Sequence, residues 1–381
     1  MSYALQTLWH ERARYLSGVI AVTFSAVLIA LQCGLLLGLF KITSTPIDHM
    51  CGDKTSTIWV GSTAVQSVDL GKPIPESFLS RVAGRPGVEM PEVYIANFAN
   101  FTKPIGGTEL CFLLASNLDS DSAALADVLT PELRSALHEM DTIVVDDSDA
   151  VKRLRLDYPY GKPKINGKEV KLVGTVTGVR SIAAPWVFCS IPTARRLMGL
   201  LLPQDHVTYL IARCESPSRA REVACMLKTE YPDDMTAYTA VDFSYESRKY
   251  WLLRTKAGIA IGYAALLGLM VGAVITAQTL YAATAASAKE FAILLALGIP
   301  RWRIKRMVLV QSFWVAAIGV GVAYPICLGL QLAAKEIAAA DVDLRWEVLA
   351  GTAAITTLMA ISAGFWAQRS VRRIEPMDLL R

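Results

Sequence analysis

The sequence predicts an α-helical membrane protein with four transmembrane helices and a mixed α/β extracytoplasmic domain. Three observations carry that prediction. The chain has 381 residues, 53% hydrophobic and only 19% charged, more apolar than an ordinary soluble domain. The apolar excess is gathered into four long runs free of ionisable side chains. Between the first and second runs lies a stretch with the alternating, turn-punctuated composition of a soluble protein.

In chain order, residues 1–15 form a short N-terminal segment and residues 16–40 the first span. Leu16 to Phe40 carries no charge. As a helix it reaches about 37 Å, enough for a hydrocarbon core of about 30 Å. Arg12 and Arg14 precede it as they would a signal peptide. The run is too long for a signal h-region, and no small-residue cleavage site closes it, so an uncleaved anchor is expected. Residues 251–288 are a stalk and the second span, 307–334 the third with Pro325 as a kink, and 348–368 the fourth. Residues 335–347 are a short loop and 369–381 a tail.

Flanking charge orients these spans. Arg12 and Arg14, then Lys289, Arg301, Arg303, Lys305 and Arg306, then Arg369, Arg372, Arg373 and Arg381 mark the cytoplasmic side. The 335–347 loop carries Glu336, Asp341, Asp343 and Glu347. Both termini are therefore expected in the cytoplasm of a plasma (inner) membrane. Arg248, Lys249, Arg254 and Lys256 run against the rule and are outvoted. A net charge of +4, clustered beside apolar runs, points to membrane orientation and away from nucleic acid.

Residues 41–250 then form one extracytoplasmic domain. Strands are expected at Thr57–Val60, Glu92–Phe98, Leu110–Ala115, Thr142–Val145 and His206–Ala212. Asn166-Gly167 reads as a tight hairpin leading into Val170–Val176. Helices are expected at Pro75–Val82, Pro131–Glu139 and Ser218–Tyr231, the last capped by Ser218. Tyr245, Tyr250 and Trp251 read either as an interfacial aromatic belt or as domain core. Five of the seven cysteines fall in this domain, where one or two disulfides are possible; Cys33 and Cys327 read as packing residues.

The connection at 289–306 is too apolar for a solvated loop and too short to span. Lys289 and Glu290 open it, Phe291, Ile293, Leu294, Leu295 and Leu297 follow, Gly298 is placed to end a helix, and Pro300 to begin the next. A short helix with an apolar surface at the inner membrane face needs lipid or a partner's groove, and composition alone does not choose. Glycine pairs Gly34/Gly38, Gly258/Gly262 and Gly268/Gly272 read as tight helix packing, within the chain or between two copies.

The stretch from Lys289 to Gly298 resembles the "REIGILRALG" signature of the FtsX/MacB-like ABC permease family. The chain's end, from Arg372 to Arg381, resembles that family's "R-x-x-P-x-x-x-L-R" close. The layout of one helix, a large outer domain and three helices is similar to its MacB/DevC-type subgroup. The resemblance implies that Lys289, Glu290, Phe291, Ile293, Leu294, Leu297, Gly298 and Arg301 dock on a separate ABC ATPase subunit. Lys289 and Leu295 stand where the family commonly has Arg. It further implies a permease homodimer, and a periplasmic adaptor with an outer-membrane channel. The function implied is export or extraction of a lipidic, peptide or drug-like substrate. The alternative is an FtsX-like signal transmitter that regulates a cell-wall hydrolase.

The residues fit that division of labour. No GxxxxGK[ST] loop occurs, so ATP and Mg are expected on the partner and no cofactor on this chain. No GxSxG elbow is present, and His138-Glu139 fails HExxH because Thr142 stands at its second histidine. The four histidines are scattered, and no catalytic or metal site is expected. Asp146, Asp147 and Asp149 read as a solvated acidic loop rather than a cation site. Spans without ionisable groups argue against a proton- or ion-coupled carrier.

Overall fold

The structure, a computed structural model, describes residues 12–157, 161–179, 184–287, 293–337, 344 and 346–372. It divides into two compact units, one of Met1–Gly38 with Ala257–Arg381, the other of Leu39–Lys256. Helix α1, Arg12–Asp48, takes in the first apolar run and carries Pro46 in its last turn.

The Leu39–Lys256 unit is the mixed α/β domain. Its elements are β1 (Thr57–Ser62), β2 (Ile74–Pro75), α2 (Phe78–Ala83), β3 (Val88–Thr102), β4 (Thr108–Ser116), α3 (Pro131–Leu137), β5 (Thr142–Asp146) and α4 (Asp147–Lys152). There follow β6 (Lys164–Ile165), β7 (Lys168–Glu169), β8 (Lys171–Val176), β9 (Trp186–Ser190), α5 (Ile191–Met198), β10 (His206–Val207), β11 (Tyr209–Cys214), α6 (Pro217–Glu230), β12 (Met235–Thr239) and α7 (Ala240–Arg254). The main sheet runs β12-β1-β11-β3-β4-β9-β5-β8. Strand β3 is long because it serves two neighbourhoods: Val88–Tyr94 pairs with β11, and Ile95–Thr102 pairs with β4. Pairs β4–β9 and β5–β8 are parallel.

Each strand expected in the domain is present, most of them longer. The His206–Ala212 stretch is two strands, interrupted at Thr208, whose hydroxyl accepts the Ala96 N–H at 3.2 Å. Asn166 and Gly167 both have positive φ, 48° and 81°, as a two-residue hairpin turn of the primed type demands. Helix α6 is capped by Ser216 rather than Ser218: the Ser216 hydroxyl accepts the Arg219 N–H at 3.3 Å, and Pro217 takes the first helical position. Ser218 lies inside the helix. Ile74–Pro75 is a strand, so α2 starts at Phe78 rather than Pro75.

The acidic run is not a loop. Asp146 is buried, accepts the Ser148 N–H at 3.1 Å and the Val179 N–H at 3.2 Å, and caps α4. Asp149 is buried as well. All seven cysteines are free, with Cys111, Cys189 and Cys214 buried in the domain core, so the possible disulfides are not formed.

The last helix of the domain is held by polar contacts. Arg248 donates to Asp48 Oδ2 at 2.7 Å and to Ser44 Oγ at 2.9 Å, and Ser244 Oγ donates to Asp48 Oδ1 at 3.1 Å. One turn on, the Trp251 indole donates to Asp69 at 3.1 Å. Trp251 is thus tied to the domain rather than standing in a free aromatic belt, whereas Tyr245 is exposed. Phe243, on the buried face, packs against Trp59, Tyr209 and Tyr238.

Three further long helices follow among the described residues: α8 (Lys256–Ala286), α9 (Arg301–Ile337) and α10 (Trp346–Arg372). With α1 they supply four segments apolar and long enough to cross a membrane, Leu16–Gly38, Lys256–Thr279, Trp302–Ala333 and Trp346–Phe365. Helix α9 continues through Pro325. Their small interior is built from Val22, Val315, Ala316, Ala360 and Ala363, and a second cluster joins Ala30, Cys327, Leu344 and Val348. Without a hydrophobic drive in lipid, such helices hold together by close packing and hydrogen bonds. Ser25 Oγ accordingly lies 3.2 Å from the Gly272 carbonyl, and Thr23 Oγ1 donates to the Gly319 carbonyl at 3.1 Å.

Candidate functional site

The described part of the connection between α8 and α9, residues 293–300, is a built structure. Residues 293–296 form one helical turn. It ends in paired hydrogen bonds, Gly298 N–H to the Leu295 carbonyl at 3.0 Å and Ile299 N–H to the Leu294 carbonyl at 3.1 Å. That pair is a Schellman motif, which places its C′ residue in the left-handed region. Gly298 occupies that position with φ +87°. Pro300 accepts from Arg303 N–H at 2.9 Å and leads directly into α9, which Arg301 opens.

The apolar residues of the turn divide between two faces. Leu294, Leu295 and Ile299 pack with Met307 against buried Ile304 and Val308, in a cluster of their own on the first turns of α9. Leu294 and Ile299, at the positions whose side chains are commonly apolar at this kind of helix end, both pack on that cluster. Ile293, Leu297 and Trp302 point outward, exposed by 53%, 75% and 58%. The Arg303 guanidinium lies 5.6 Å from the Trp302 ring centre, so a cation borders the apolar tip.

This arrangement sorts the residues singled out in the sequence. Leu297 is on the presenting face with Ile293, while Leu294 holds the turn to α9 and Gly298 closes it. Lys289, Glu290 and Phe291 lie outside the described residues. Trp302, Ile299, Ile304 and Val308 were not singled out, although the 3.6-residue spacing of Ile304 and Val308 inside a basic helix start was the available signal.

The glycines sort in the same way. Gly268 approaches Leu28 of α1, and Gly272 approaches Ser25, so close that an added Cβ would lie 3.1 Å from the serine Cβ. These two serve packing within the chain. Gly34, Gly38 and Gly258 are buried, and Gly262 faces open space. Gly319 and Gly364, unnoticed in the sequence, make still closer approaches to Val22 and Ser312.

In the α/β domain, an open groove of about 520 Å³ lies where β4 and β9 end, lined by Glu92, Ser116, Asn117, His138 and Ser190 among others. Burial raises the Glu92 carboxyl above its ordinary value of 4.5, against the lowering effect of hydrogen bonds from Ser122 and the Ala123 N–H. Among the described residues no three His, Cys, Asp or Glu side chains converge as metal ligands do.

Residues 262–376 match the family described as FtsX-like permease C-terminal. The C-terminal part of this chain is similar to an FtsX-like permease C-terminal domain. The match takes in most of α8, the whole turn at 293–300, α9 and α10. No curated protein matches the chain. Among solved structures, the chain is similar to the periplasmic region of MacB from Actinobacillus actinomycetemcomitans, at 9% identity over 52% of this chain and 94% of that one, TM-score 0.35. It is also similar to the extracellular domain of the noncanonic ABC-type transporter YknZ from Gram-positive bacteria, at 13% identity over 48% and 99%, TM-score 0.34. A third is a domain of a putative permease protein from Porphyromonas gingivalis, at 12% identity over 48% and 89%, TM-score 0.31. The turn at 293–300 lies within the matched residues, between the second and third of the four segments apolar and long enough to cross a membrane.

Proposed function

We propose that the chain is the membrane subunit of an ABC-type transporter and that the turn at 293–300 receives force from a separate ATPase subunit. The observation that carries this reading is the division of the turn into two faces. An apolar triad, Ile293, Leu297 and Trp302, is displayed outward, while Leu294, Leu295 and Ile299 fasten the same turn to α9. A segment that only sealed a loop would bury its leucines, and a solvated loop would not carry them. Display on a fastened base is what a docking helix needs: its anchors enter a partner's groove, and movement of that groove is passed to the helix behind it.

ATP and Mg belong on the partner, because the chain carries no phosphate-binding loop. The movement serves export or extraction, with the α/β domain as the working part on the far side and both termini on the ATPase side. A homodimer, a periplasmic adaptor and an outer-membrane channel complete the assembly in this reading. The test is site-directed cross-linking in native membranes. Cysteine at Leu297 or Trp302, in a chain whose own exposed Cys51 and Cys225 are serine, should cross-link to the ATPase subunit, whereas cysteine at Leu294 should not. Cross-links to lipid analogues alone from all three positions would remove the ATPase from the proposal.

A further inference from the structure

Four basic residues, Arg248, Lys249, Arg254 and Lys256, precede the second span on the side that charge patterning otherwise leaves poor in cations. The structure divides them into two pairs. Arg248 is neutralised by Asp48 at 2.7 Å, and Lys249 lies 3.3 Å from Glu246. Arg254 and Lys256 are exposed and have no acidic partner among the described residues. They flank Thr255, an extended residue (φ −91°, ψ 146°) that ends α7, and the apolar segment able to cross the membrane begins at Lys256 itself.

The position of Arg254 is fixed within the α/β unit. Over the preceding turns α7 buries Phe243, Ser244 and Ser247, and Arg248 and Trp251 are bonded to Asp48 and Asp69. The last turn of α7 therefore stands where the domain puts it, with Leu253 exposed beside Arg254. Two cations without a counter-ion among the described residues, at the beginning of a span, meet the headgroup layer of the bilayer. Arginine suits a phosphate through its fork of donors, and lysine as a point charge.

We propose that Arg254 and Lys256 bind the phosphate of an anionic phospholipid in the leaflet on which the α/β domain stands, and so seat that domain on the membrane. The test uses the full chain in nanodiscs holding equal phosphatidylglycerol and phosphatidylcholine, released and weighed intact by native mass spectrometry. The wild type should retain phosphatidylglycerol in preference. Arg254→Gln and Lys256→Gln should each lower that preference by about 5-fold. Lys249→Gln, which removes a charge of the same region already paired within the domain, should leave it unchanged. Equal retention of the two lipids by the wild type would overturn the proposal, as would a double variant that keeps the wild-type preference.

Discussion

Two single residues carry arguments that can be checked directly. Gly298 sits at φ +87° with open space where a Cβ would go, so a substitution there meets backbone strain and no clash. Gly298→Val should cost about 1–2 kcal/mol in the turn and lower ATPase coupling while leaving the α/β domain's thermal unfolding unchanged. Glu92 gives a pH test. Its carboxyl is raised by burial, so its contribution to stability is complete below its unfolded value of 4.5 and is lost as pH rises through the folded value. Glu92→Gln should therefore flatten the dependence of melting temperature on pH just above 4.5, and a slope identical to the wild type would contradict the assignment. At this scale the sequence was legible in kind and misleading in direction. Gly298 announced a helix end, because glycine before Ile-Pro has few other uses. Leu294 and Leu297 looked alike, because which leucine faces inward depends on α9 folding back, a contact no local pattern encodes. Ser216 and Ser218 likewise both suit a cap, and Pro217 at the first helical position decides for the earlier one.

The elements themselves were more legible where the chain is uniform. Four uncharged runs each form a helix apolar and long enough to cross a membrane, and the strands at 57–62, 88–102 and 108–116 show β-branched and aromatic enrichment. Strands β9 and β12 and helices α4 and α5 were missed because they are short and draw their stability from burial against β3–β5 and α6. Asp146 looked solvated because charge is usually exposed, yet as the cap of α4 it is a buried carboxylate held by backbone donors. Two predictions belong to this scale. The Asp48–Arg248 contact joins the end of α1 to α7, so a double-mutant cycle of Asp48→Asn and Arg248→Met should give a coupling energy of about 1–2 kcal/mol. Additive effects would show that the contact is incidental. In the spans, Gly364 lies against Ser312 closely enough that no Cβ fits without movement. Gly364→Val should destabilise the α9–α10 pair by about 1–3 kcal/mol, read as earlier loss of the folded band in detergent denaturation, and Ser312→Gly in the same chain should restore part of it.

For the whole molecule, the described chain pairs a helical part, matched by the FtsX-like permease family over residues 262–376, with a mixed α/β domain of its own core. None of the four apolar runs read from the sequence carries Asp, Glu, Lys, Arg or His. The one described segment outside the spans of the first unit that is both apolar and shaped is the turn at 293–300. Everything functional in this account passes through the face it displays. The decisive measurement is ATP hydrolysis by the partner ATPase reconstituted with full-length permease, comparing Leu297→Asp with the wild type and with Leu253→Asp, an equally apolar-to-charged change outside the turn. The account predicts that Leu297→Asp abolishes permease-dependent stimulation and that Leu253→Asp retains it; undiminished stimulation by Leu297→Asp would contradict it.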